Sequence, residues 1–190
     1  MLPIGPLMIE HRLIERMIAL IQQELDRIES NVAVDPEFAF VDPVFIDTAV
    51  DFLRTYADRC HHGKEEDILF EELERKNLST EHRRIMDELI EEHKVSRAAT
   101  GALIKAKESH LRQEPESLEH ILSHMRTLAE LYPKHIDKED KHFFIPCMEY
   151  FSQAEKDDML ARMNEFDRQM IHEKYRLTVE AIENRRACTV

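Results

Sequence analysis

The sequence predicts an all-α protein: an up-down-up-down four-helix bundle with an additional C-terminal helix. Three observations carry that prediction. Apolar residues recur in steps of four and three over long stretches, only three glycines occur in 190 residues, and charged residues make up 34% of the chain, enough to cover the outer face of every helix. A first helix begins after Pro6 and runs to about Ser30, with Leu7, His11, Ile14, Ile18, Ile21, Leu25 and Ile28 on one stripe. A loop from Asn31 to Asp42 follows, marked by Asp35-Pro36. Asp42-Pro43 supplies the N-cap and first-turn proline of a second helix reaching Arg75, whose stripe is Ile46, Val50, Leu53, Ala57, His61, Glu65 and Ile68. Ser79 or Thr80 caps a third helix, which places Met86, Leu89, His93, Ser96, Thr100 and Leu103 inward and ends near Arg112.

Glu114-Pro115 opens a fourth helix with Ile121, Met125, Leu128, Tyr132, His135, Glu139 and His142 on its inner face. Pro133 lacks a backbone donor and bends this helix two residues before His135. Residues 1–152 form the bundle domain, and residues 153–190 an appended helix. Ser152-Gln153-Ala154-Glu155 is the capping box that starts it, and the helix runs to about Arg185. Its Met159, Met163, Phe166, Met170 and Leu177 pack across the bundle or pair two subunits into a homodimer.

A formal charge of −13 with no Lys/Arg cluster argues against nucleic acid and against a membrane surface as partner. No apolar run approaches the roughly 20 residues of a spanning helix, and residues 1–10 lack the cationic start of a signal peptide, so the expected compartment is the cytoplasm. Cys60, Cys147 and Cys188 form no CxxC pair, which excludes a disulfide framework and a thiolate zinc site. Cys60 is one residue from His61, about 100° around a helix, and is read as inert.

A ten-residue pattern occurs twice, starting at His61 and at His135, each time with Lys at +3, Glu at +4, a second acid at +5 and a bulky apolar pair at +8 and +9. Residues four apart share a helix face, so each copy aims an imidazole and a carboxylate the same way. A shorter echo, Glu10-His11-Arg12 and Glu92-His93-Lys94, precedes each long copy, which implies an internal duplication. The first long copy reads either as His61 with Glu65 or as His62 with Glu66, and only the former matches the Lys and apolar positions of the second.

His11, His61, Glu65, His93, His135 and Glu139 therefore fall on otherwise aliphatic stripes. Leaving such groups uncompensated in an interior costs several kcal/mol each, against a total stability of roughly 5–15 kcal/mol. A metal centre compensates all six at once. Imidazole and carboxylate without thiolate suit iron, with manganese and zinc behind it. Two ions fit the set better than one: each takes two His, Glu65 and Glu139 span both, and open positions remain for a small diatomic or peroxide ligand.

These residues resemble the hemerythrin-like, HHE cation-binding family over about Leu7 to Tyr150, through Ile9-Glu10-His11, His61-His62-Gly63-Lys64-Glu65-Glu66, Glu91-Glu92-His93 and His135-Ile136-Asp137-Lys138-Glu139-Asp140. The resemblance implies a four-helix bundle around a non-haem di-iron centre that binds or reacts with O2, peroxide or NO. The alternative function is a metal- or redox-responsive sensor module that signals to a protein partner through the fifth helix. Oxygen-carrying members have a pair of His one turn apart on the third helix and an HxxxxD motif on the fourth. Here Leu89 and Arg97 flank His93 by one turn, and Glu139 stands at +4 from His135 with Asp140 at +5. One terminal His is thus missing, which implies a more open centre. His142 is the first candidate to replace it, ahead of His62 and Glu66, while Glu10 and Glu92 read as helix-border residues, with support of a ligand His from behind as the alternative.

Overall fold

A computed structural model describes the backbone over residues 2–35 and 40–187, and side chains over 2–35 and 40–170. Five long helices account for most of it. Helix α1 is Ile4–Val34, longer at both ends than its stripe requires, because Pro6 sits in the first turn, where a missing N–H is harmless. Helix α2 covers residues 43–74, capped by Asp42, whose carboxylate accepts from the amides of Val44 (2.9 Å) and Phe45 (3.2 Å). Helix α3 is Thr80–Leu111, with Ser79 as its cap.

Helix α4 covers residues 117–147 and starts two residues later than Glu114-Pro115 suggests. Gln113 and Glu116 take left-handed backbone conformations (φ 59° and 61°), and the Ser117 hydroxyl donates to the Glu114 carbonyl, so residues 113–116 form a turn. Pro133 is exposed inside α4, and the helix continues through it. Helix α5 is Gln153–Ala187. Its capping box forms as expected, with Ser152 N–H donating to Glu155 at 2.8 Å and Glu155 N–H donating back to Ser152 Oγ at 3.4 Å.

Two helices are not α-helical throughout. Helix α2 widens into π-helix over Leu53–His62 and again over Glu65–Phe70, and α4 does so over Glu139–Phe143. The Gly63 amide bonds five residues back to the Asp58 carbonyl, the signature of the wider turn. The wide segments coincide with the duplicated motifs.

The core consists of two apolar clusters. One gathers Ile14 to Ile28 of α1, the α2 residues up to Ala57, Ala99 to Ala106 of α3, and Ile121 to Ile136 of α4. The other gathers Ile4 and Leu7, Ile68 to Leu73, Ile85 to Leu89, Phe143 to Phe151, and Met159 and Met163 of α5. The fifth helix thus packs on the bundle through Met159 and Met163. Phe166 and Met170 are half-buried, and Leu177 and His172 lie outside the residues whose side chains are described, as does Cys188. None of the described helices is long and apolar enough to cross a membrane. Between the two clusters lies a polar layer.

Candidate metal centre

Each of the first four helices contributes to that layer where its stripe passes from one apolar cluster to the other. All six residues singled out by the sequence meet there, and every one is buried: His11, His61, Glu65, His93, His135 and Glu139. A seventh joins them. His62 is also buried, its ring stacked on His93 at 3.8 Å between centroids. In an α-helix, residues 61 and 62 would diverge by about 100°. The wide turn that ends at His62 lets both point inward, which an α-helical reading of the motif does not anticipate.

The same effect overturns the expectation for His142. Seven residues after His135, it would share that face in an α-helix, but the wide turn over Glu139–Phe143 rotates it out, and it is exposed. The further imidazole in the layer thus comes from α2, as His62. Glu66 stays outside the layer, half-buried, in contact with the outer edge of His93.

The seven side chains form two groups whose ligand atoms lie within 4.8 Å of one another: His11, His61, Glu65 and Glu139, and His62, Glu65, His93 and His135. Glu65 presents Oε1 to His61 and Oε2 to His93, each at 3.4 Å. Glu139 presents Oε1 to His135 at 3.3 Å and Oε2 to His11 at 3.2 Å. Each carboxylate therefore spans the two imidazole groups. None of the four oxygens makes a hydrogen bond, and neither nitrogen of His62 does. Orphaned buried polar atoms on this scale are rare in proteins and require a compensating charge.

The imidazoles are held by their outer nitrogens. Nδ1 lies 2.8 Å from Asp140 in His11, 2.9 Å from Glu10 in His61, 2.6 Å from Glu66 in His93 and 2.8 Å from Glu92 in His135. His62 Nδ1 is 3.4 Å from Asp58. A carboxylate at Nδ1 keeps the proton there and turns the Nε2 lone pair inward, the usual arrangement behind a metal-bound imidazole. Those lone pairs converge, with Nε2 atoms 2.9 Å apart between His11 and His61 and 3.2 Å apart between His93 and His135. Two facing lone pairs repel unless a proton or a metal cation lies between them.

Each outer carboxylate is held in turn by a cation: Glu10 by Lys64, Asp140 by Arg12, Glu92 by Lys138 at 2.7 Å, and Glu66 and Asp58 by Arg97 at 2.8 and 2.6 Å. The duplicated spacing now has a physical reason. The motif's Lys holds the Glu that precedes its own half's echo His, that Glu holds the motif's own His, and the acid at +5 holds the echo His of the other half. Glu10 and Glu92 are thus not helix-border residues; they orient His61 and His135.

Within the layer the titratable groups are shifted in opposite directions. Burial alone would lower His11, but the hydrogen bond to Asp140 and the Glu139 carboxylate 3.2 Å from Nε2 outweigh it and raise its pKa to about 9. Burial holds His61 down to about 4 and pushes His62 well below the ordinary value. Burial and the neighbouring Glu139 raise Glu65, whereas for Glu139 the raising effect of burial is overcome by His135 and His11, which hold it low. One carboxylate neutral and one ionised is the expected outcome for like groups sharing a site.

The sequence profile of the hemerythrin HHE cation binding domain matches residues 2–144. The chain belongs to the hemerythrin HHE cation-binding family. The matched region contains all seven inner residues, and the His/Glu clusters fit the cation binding that names the family. No curated protein and no solved structure matches the chain.

Proposed function

We propose that this hemerythrin-family chain is a non-haem di-iron protein whose centre binds or reacts with O2, peroxide or NO. The observation that carries the reading is the pair of spanning carboxylates, Glu65 and Glu139, with all four oxygens buried and unpartnered between two imidazole groups. His11 and His61 would hold one ion and His62, His93 and His135 the other, with Glu65 and Glu139 available to both. Five imidazoles and two carboxylates without a thiolate favour iron over manganese and zinc. When bound, such a pair of ions supplies one-electron redox changes and coordination positions open to a small ligand.

The chain's own residues set the terms of that chemistry. The five acidic partners fix the imidazoles before metal arrives, which lowers the cost of assembling the site. The position equivalent to His62 in the second half is Ile136, so the His11–His61 side has one imidazole fewer and is the more open of the two. Ile136 also lines a cleft of about 290 Å³ with Ile18, Ala129 and Tyr132, whose rim carries Glu15 and Gln22. The alternation of the helices between the two apolar clusters supports the up-down-up-down order, with residues 153–190 as an appendage.

Metal analysis of protein purified without an affinity tag tests the reading. Two irons per chain and an absorption change on exposing the reduced protein to O2, peroxide or NO are expected. Metal content near zero after anaerobic incubation with ferrous iron, or absorption indifferent to all three ligands, refutes it.

A further inference from the structure

Lys64 is fully buried, and its ammonium is shared between two carboxylates. One is Glu10, which holds His61. The other is Asp167 at 2.7 Å, which belongs to α5 and lies outside the matched residues 2–144. The second half of the duplication shows what Asp167 replaces. There, Lys138 reaches Glu92 at 2.7 Å and Glu88 at 3.1 Å, so one helix supplies both acceptors. Glu88 stands four residues before Glu92, but Pro6 stands four residues before Glu10 and offers no carboxylate. The first half therefore takes its second acceptor from a helix that the duplication does not contain.

The approach of α5 is built into the chain at the same place. A Cβ on Gly63, next to Lys64, would stand 2.8 Å from the Phe166 ring, so any other residue here would make that ring shift. Met159 and Met163 anchor the same helix in the adjoining apolar cluster. The Cys60 thiol also donates to Asp167, at 3.3 Å. Burial, chiefly, pushes that thiol up to about 12, so it remains a neutral donor. Glu10, Cys60 and Asp167 cluster closely enough to suggest a third cation position, but the Lys64 ammonium already fills it.

We propose that Asp167 is a positioning residue for the metal centre: from α5 it fixes Lys64, which fixes Glu10, which orients the ring of His61. The proposal rests on the reading of the polar layer as a di-iron site. Its distinguishing consequence is one-sidedness. Loss of Asp167 loosens His61 and its ion, whereas His135, held through Glu92, Lys138 and Glu88, is untouched.

The test uses the full chain as wild type, Asp167→Asn, Asp167→Glu, Glu88→Gln and, as an exposed control on α5, Glu165→Gln. Imidazole NMR of the metal-free proteins reads the solvent exchange of each Nδ1–H. Release of iron to a chelator is followed for the loaded proteins. Asp167→Asn should speed exchange at His61 and one of two release phases by about 10-fold, the low end for losing an outer partner of a metal ligand. It should leave His135 and the other phase unchanged, and Asp167→Glu should restore both readings. Glu88→Gln should act on His135 and spare His61, and Glu165→Gln should behave as wild type. Equal His61 exchange in wild type and Asp167→Asn, an equal effect on both halves, or the same response from Glu165→Gln overturns the proposal. Iron uptake by wild type with unaltered release from Asp167→Asn overturns this inference alone, whereas no uptake by wild type overturns the di-iron reading and the inference together.

Discussion

Replacing His62 with leucine should stabilise the metal-free protein and weaken the loaded one, a reversal of sign that a structural histidine would not produce. In the bare site, both His62 nitrogens are buried without a hydrogen bond, and only one has a charged neighbour, Asp58 at 3.4 Å. An unsatisfied buried polar group costs roughly 1–3 kcal/mol, and His62 carries one such nitrogen outright and a second in part. Leucine removes both, but it forfeits the stacking on His93, worth roughly 0.5–1.5 kcal/mol. The net gain is about 1–2 kcal/mol, or roughly 2–8 °C in melting temperature for a chain of this size. In the loaded protein, the same change removes a ligand, and release of iron to a chelator should accelerate by at least about 10-fold. Thermal melts of chelator-stripped protein and stopped-flow release from loaded protein read the two effects. A destabilised metal-free variant with unaltered iron release would refute both the orphaned state of His62 and its role as a ligand.

Other perturbations follow from the same geometry. The metal-free protein should be most stable near pH 6.5: above it, His11, raised to about 9, loses its proton and its contribution, and below it, His61, held near 4, opposes folding because the unfolded chain takes up protons first. Denaturant titrations from pH 4 to 10 should show that maximum and its flattening once metal is bound. Glu10→Gln and Glu92→Gln should each weaken iron binding by about 10- to 100-fold, separable as different release phases, because each Glu serves one half. Gly63→Val should drive α5 off α2 by collision with Phe166, read as faster proteolysis within residues 153–170, while Ser152→Ala should cost about 1 kcal/mol in thermal stability through the lost cap.

The helices and His11, His93 and His135 are legible in the sequence because a 3.6-residue period survives wherever the backbone is α-helical, whereas His61, Glu65 and Glu139 are legible from the duplicated motif although they lie in the widened segments. Leu7, His11, Ile14, Ile18, Ile21, Leu25 and Ile28 of α1 are all buried, as that period requires. His62 and His142 are misplaced by the same period, since the wide turns break it at the motifs themselves. The His61-His62 doublet ahead of Glu65 is a signal for such a turn, because two adjacent polar groups serve one site only if the helix is unwound to admit both. The Lys at +3 and the acid at +5 also carry information that a ligand search overlooks, since they bind the carboxylates and imidazoles of the neighbouring helix. Asp167 leaves no comparable trace: its partner stands more than 100 residues earlier, and only the folded chain brings α5 to Lys64.

Placing the polar layer between two separate apolar clusters has a consequence for how the protein comes apart. The two clusters are placed to act as separate cooperative units in the metal-free protein, joined across the layer by hydrogen bonds and ion pairs alone. Paired cations would rivet four helices at mid-height and fuse the two units into one. The loaded protein should then melt in a single transition, while the stripped protein melts in two, so that the shape of a calorimetric trace reports occupancy.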